Sequence, residues 1–188
     1  MRARHALTGM VAAGAAMVGL LPSPAMAEET TCRGSLGRVT VDNLRVPQGA
    51  TCTLDGTYVK GTVKVERDAT LRASGIRVVG NVQGENAASV GVTAASTVGG
   101  SVQVKQGRAA TVADSRINGD ILYDENASAL RADRNVVGGN VQAFKNTGGV
   151  AINGNQIDGN LQCKENSPPP TGGGNVVQGN KEDQCARL

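Results

Sequence analysis

A glycine that returns at a nearly constant interval restricts this chain to very few folds. It stands at Gly61, Gly80, Gly100, Gly119, Gly139, Gly159 and Gly179, so successive intervals are 19, 20, 19, 20, 20 and 20 residues. Two positions before each one sits a β-branched residue: Val59, Val78, Val98, Ile117, Val137, Ile157 and Val177. Two positions after it come Val63, Val82, Val102, Ile121, Val141 and Leu161, and this column breaks at Lys181. A low-complexity chain keeps no such count, whereas a repeat architecture requires it.

Within each repeat, apolar residues alternate with polar ones, as in Val63-Lys64-Val65, Leu71-Arg72-Ala73, Val102-Gln103-Val104 and Val150-Ala151-Ile152. Period two inside a period of twenty predicts several short strands per repeat. Glycine is expected to supply the corners between them. The Gly, Asn and Val content disfavours helix, and one such unit cannot bury its apolar face alone. Stacking coils about 4.8 Å apart turns each Val or Ile column into a continuous core and pairs every strand with the coils above and below. The expected fold is therefore all-β: a single-stranded parallel β-helix, or β-solenoid, with coils of 19–20 residues.

Polar residues keep the same register. Four positions before the glycine stand Thr57, Ile76, Ser96, Ser115, Asn135, Asn155 and Asn175, and immediately after it Thr62, Asn81, Ser101, Asp120, Asn140, Asn160 and Asn180. Side-chain amides stacked at corners can hydrogen-bond along the axis. Three positions after the glycine run Lys64, Gln83, Gln103, Leu122, Gln142 and Gln162, flanked by apolar neighbours and so expected to face outward as a surface ladder. Lys105 lies one coil from Glu85 and Asp124, and Lys145 one coil from Glu125 and Glu165, which sets opposite charges next to each other.

The N-terminus reads as an export signal over residues 1–27. Arg2, Arg4 and His5 precede an apolar stretch from Ala6 to Leu21, which ends in the small-residue triplet Ala25-Met26-Ala27. Gly9, Gly14 and Gly19 argue against a retained membrane anchor, so no stable membrane insertion is expected after cleavage. The remaining 161 residues contain no His and no Met, and their charge nearly cancels at 17 basic and 16 acidic residues. That balance gives no footprint for nucleic acid, and the lack of His excludes His-dependent triads. Residues 28–60 read as an N-terminal cap with a degenerate first coil, 61–180 as the repeats, and 181–188 as a tail closing the last coil.

Four cysteines remain in this exported part. Cys32 and Cys52 are one coil apart, Cys163 and Cys185 are 22 residues apart, and Cys163 occupies the inward slot filled elsewhere by Val65, Val104 and Ala143. More than a hundred residues of stacked coils separate the two pairs, which favours Cys32–Cys52 and Cys163–Cys185 as staples at the two ends. Zinc is disfavoured because no CxxC occurs. The run Ser167-Pro168-Pro169-Pro170-Thr171-Gly172-Gly173-Gly174 cannot donate fully to a strand ladder and reads as a loop or excursion in the last coil.

Gly80-Asn81-Val82-Gln83, Gly139-Asn140-Val141-Gln142 and Gly159-Asn160-Leu161-Gln162 resemble the repeats of secreted bacterial right-handed parallel β-helix proteins, mostly of unassigned function. The resemblance covers about residues 55–180 and implies architecture rather than activity. It is distantly similar to bactofilins, which are cytosolic polymers, and to pectate-lyase-like enzymes, whose coils are longer and carry large loops. Left-handed β-helices repeat in hexapeptides, so the spacing here favours a right-handed coil.

A polysaccharide lyase would need clustered carboxylates for calcium and a basic residue to take a proton. Asp114, Asp120, Asp124, Glu125 and Asp133, with Arg116, Arg131 and Arg134, are the one dense group that could serve. The short connections and few aromatics favour reading it as a solvated, ion-paired face, with no catalytic residues, metal or cofactor assigned. Asn126-Ala127-Ser128 matches a glycosylation acceptor by chance, and Thr70, Thr93 and Thr111 do not share a column as an ice-binding ladder would. The expected function is an exported, non-catalytic structural or adhesive module outside the cell or at its surface, with cell-wall or extracellular polysaccharide as the partner. A calcium-dependent polysaccharide-active enzyme, or a binding module using the Pro168–Gly174 loop, are the alternatives.

Overall fold

The computed structural model describes residues 28–188, and the expected signal segment lies outside them. The described chain is all-β and winds into a parallel β-solenoid of about seven turns. Each turn contributes one strand to each of three parallel sheets, of nine, eight and eight strands, so the stack has three faces. One complete coil shows the plan: Val102–Lys105 lies in the first sheet, Ala109–Ala113 in the second and Arg116–Ile117 in the third.

Register follows the sequence columns. In the first sheet Val63, Val82, Val102, Ile121, Val141 and Leu161 are successive partners. In the third sheet Val59, Val78, Val98, Ile117, Val137 and Ile157 are aligned in the same way, and all of these side chains are buried. The predicted continuous core is present, and its bulk comes from columns rather than from large residues. Tyr123 is the exception: its ring is fully buried, and its hydroxyl donates to the carbonyl of Arg131 across the coil at 2.6 Å. Burial pushes its phenol well above the ordinary tyrosine range. Ala143 and Val104, its neighbours along the axis, leave the room it needs.

The repeating glycines serve a purpose other than the sharp corner expected of them. Gly159 has no left-handed backbone; instead a Cβ there would lie 2.5 Å from Asn140 Oδ1 and 2.7 Å from the carbonyl oxygen of Gly139. Successive coils approach too closely at this edge for any side chain. Positive φ falls on other residues, at two different corners. Asn86, Gln106, Glu125, Lys145 and Glu165 hold φ of 52–59° after the first-sheet strand, and Asp114 and Arg134 hold 50° and 53° after the second.

Side-chain ladders run along all three corners, buried at two and half-buried beside the glycines. After the second sheet, Asn135 and Asn155 accept from the backbone N–H one coil earlier and donate to a carbonyl of the coil before their own. Asn155 Oδ1 takes the N–H of Asn135 at 2.9 Å while its Nδ2 reaches the Ala132 carbonyl at 2.7 Å. Next to the glycines the direction reverses, so that Asp120 accepts from the N–H of Asn140 at 2.6 Å and Asn140 from that of Asn160 at 2.8 Å. Both ladders match the polar columns expected to bond along the axis.

The third ladder was not anticipated. Asn126, Asn146 and Asn166 follow the first sheet, are buried, and pass the same bonds from Gly107 down to Gln184. Their spacing of twenty residues was the available signal.

The proline run also departs from expectation. Residues 167–169 form an exposed loop as expected, but the run is no excursion: Pro170 is buried in the slot aligned with Val150, and Thr171–Gly173 pairs in register with Ala151–Asn153. Proline at the inward slot removes an N–H but no apolar contact, and the later residues resume the ladder.

Candidate functional site

Both cysteine pairs are joined as expected, Cys32–Cys52 with Cα atoms 5.6 Å apart and Cys163–Cys185 at 5.2 Å. All four are buried, and each bond ties one terminal coil to its neighbour. Two such bonds fit an oxidising compartment.

The acidic group considered for lyase chemistry is not assembled into one site. Asp124 ends the first-sheet strand and Glu125 follows at the corner, Asp120 lies in the corner ladder, Arg131 and Asp133 lie on the second sheet, and Arg116 on the third. Asp114 and Arg134 form a two-point pair, with Nε and Nη2 each 2.7 Å from a carboxylate oxygen. That hydrogen-bonded guanidinium holds the Asp114 carboxyl below its usual range. Asp133 is almost fully buried and receives Arg131 Nε at 3.0 Å and Asn153 Nδ2 at 2.8 Å. Among the described residues, no three of His, Cys, Asp and Glu are grouped as a metal would need.

The charge columns hold in register but not throughout in contact. Lys145 lies 3.7 Å from Glu125, while Lys105 aligns with Glu85 and Asp124 without reaching ion-pair distance of either. The Asn126 amide is turned inward, donating to Val104 O at 2.9 Å and Asn146 Oδ1 at 3.0 Å. It is closed to a glycosylating enzyme in the folded chain.

The outward ladder of glutamines divides into two parts. Toward the C-terminus it is zipped, since Gln142 donates to Gln162 and Gln162 to Glu182, both at 2.8 Å. On the N-terminal side of Leu122, Gln83 and Gln103 are half-buried and make no side-chain hydrogen bond among the described residues. They lie in a shallow depression of about 630 Å³ on the first face, edged by Lys64, Glu66, Arg67, Glu85 and Lys105. Its wall is the turn Glu66–Ala69, closed by the Ala69 N–H on the Glu66 carbonyl at 3.0 Å. In this coil the left-handed residue, Asp68, comes one position later than Asn86 does in the next, so the turn has a different shape. This depression was not foreseen, because a one-residue shift of backbone conformation leaves the spacing from first-sheet to second-sheet strand unchanged, Val63 to Thr70 matching Val82 to Ser89.

No family model matches the chain, and no curated protein or solved structure matches it either.

Proposed function

We propose that the protein is an exported, non-catalytic β-solenoid that acts as a rigid structural or adhesive module outside the cell or at its surface, in contact with cell-wall or extracellular polysaccharide. The observation that carries this reading is the unbroken parallel register from Glu29 to Asp183, with a disulfide near each end. A stack of this kind presents flat faces of aligned polar side chains, and it resists local opening because every corner is hydrogen-bonded along the axis. The disulfides support export, and the N-terminal pattern of residues 1–27 supports the route.

A calcium-dependent lyase reading has less support, since the carboxylates it would use are divided among faces, and Asp114, Asp133 and Asp120 are engaged by Arg134, Arg131 and Asn140. The proline-loop reading has less support, since Pro170 is buried and Thr171–Gly173 pairs in register, which leaves Pro168 and Pro169 as a short exposed turn. The test is incubation of residues 28–188, disulfides intact, with insoluble cell-wall and extracellular polysaccharide fractions. Retention on either is the expected result. Recovery of all the protein in the supernatant, together with a monomeric sedimentation profile, would overturn the reading.

A further inference from the structure

We infer that the depression on the first face is a binding site for a linear acidic polysaccharide, one that carries both hydroxyl and carboxylate groups. This rests on the adhesive reading above and names its ligand class and its surface.

Three cations border the depression, and none is neutralised by a described residue. Lys64, Arg67 and Lys105 take part in no ion pair among the described residues. The carboxylates beside them are not equivalent. Glu66 is engaged, by Arg45 Nη1 at 3.4 Å and by the backbone N–H of Gln48 at 3.0 Å. Glu85 alone is uncommitted, so the local balance is cationic on a chain whose exported part is otherwise near neutral.

Between the cations lie the two glutamine amides that the ladder leaves free. A half-buried amide without a partner offers two donors and an acceptor to whatever enters. Hydroxyl groups satisfy both functions, and carboxylates satisfy the ammonium and guanidinium groups. Gln83 and Gln103 are adjacent partners in the sheet, and Lys64 precedes them in the same column. The spacing of about 4.8 Å per coil therefore displays cation and amide groups as a repeating row, which suits a ligand that is itself linear and repetitive. Single-stranded nucleic acid would require aromatic platforms, and no aromatic side chain lines the depression.

The experiment is titration calorimetry of disulfide-intact residues 28–188 with alginate, dextran and inorganic polyphosphate. Alginate supplies hydroxyls and carboxylates, dextran hydroxyls alone, and polyphosphate charge alone. Alginate is expected to bind, weakening as salt is raised, while the other two bind at least tenfold more weakly. The double variant Lys64→Gln/Lys105→Gln should lose about tenfold or more in affinity for alginate. Gln83→Ala should weaken it as well, whereas Gln142→Ala, in the zipped part of the ladder, should not. Circular dichroism and thermal unfolding of each surface variant confirm that the fold is retained. Equal binding of polyphosphate and alginate, or alginate affinity unmoved by the lysine and Gln83 variants, would overturn the assignment. Retention on cell-wall fractions by the double variant at the wild-type level would sink this site and leave the adhesive reading standing; absence of retention by the wild type, together with a monomeric sedimentation profile, would sink both.

Discussion

Asparagine ties the coils together along the corners, and it does so in two ways. Beside the glycine column the side chain accepts an N–H from the following coil; at the other two corners it accepts from the preceding one and also donates backward with its Nδ2. A buried backbone N–H left without an acceptor costs roughly 1–3 kcal/mol. Asn155→Ala strands the N–H of Asn135 and the carbonyl of Ala132 in an interior that water does not reach. The expected loss is about 2–4 kcal/mol of unfolding free energy, measured by chemical denaturation. Asn118→Ala, at an exposed position, serves as the comparison and should stay within about 0.5 kcal/mol. Equal effects of the two changes would show that the ladder is decorative.

At the scale of the element, no strand here is long enough to be stable alone. Those of the third sheet are two residues each, and those of the other sheets at most five. A strand inside the stack is paired on both edges, but the terminal ones are paired on one, which makes the ends the places where opening begins. Cys163–Cys185 ties the last first-sheet strand, Lys181–Asp183, and the turn after it to Leu161–Lys164. Replacing both cysteines by Ala should lower stability by roughly 3 kcal/mol and speed amide exchange at Lys181–Asp183 before exchange rises in the central coils. Uniform acceleration through all the coils, or none at all, would contradict an end-fraying element.

Across the whole molecule, the contacts are made between neighbouring coils, so stability should behave as a sum over units and interfaces. Excising one full coil, residues 139–158, joins Gly138 to Gly159 and brings Ile121 next to Leu161 in place of Val141. Column identities are conserved by the cut. The shortened chain should keep its β circular dichroism and cooperative unfolding with a lower denaturation midpoint. Removing ten residues instead would set second-sheet positions against the wrong face, and that chain should fail to fold. A twenty-residue deletion that is as damaging as the ten-residue one would refute the independent-coil description.

Counting residues was enough to find the strands, the inward Val and Ile columns, and the cysteine partners. Those features depend only on which residues share a position in the repeat, and a period is a property of the linear chain. Direction at the corners is not. Whether Asn126 points out as a glycosylation acceptor or in as a ladder rung depends on the left-handed backbone at Glu125 just before it. Whether Pro170 leaves the coil or fills its core depends on an inward slot that the preceding coils create. The same holds for Asp114, Asp120 and Asp124, within eleven residues of sequence that the winding distributes over different sides of a triangular stack. Only the folded chain, by turning through three corners in every twenty residues, decides which neighbours in sequence become neighbours in space.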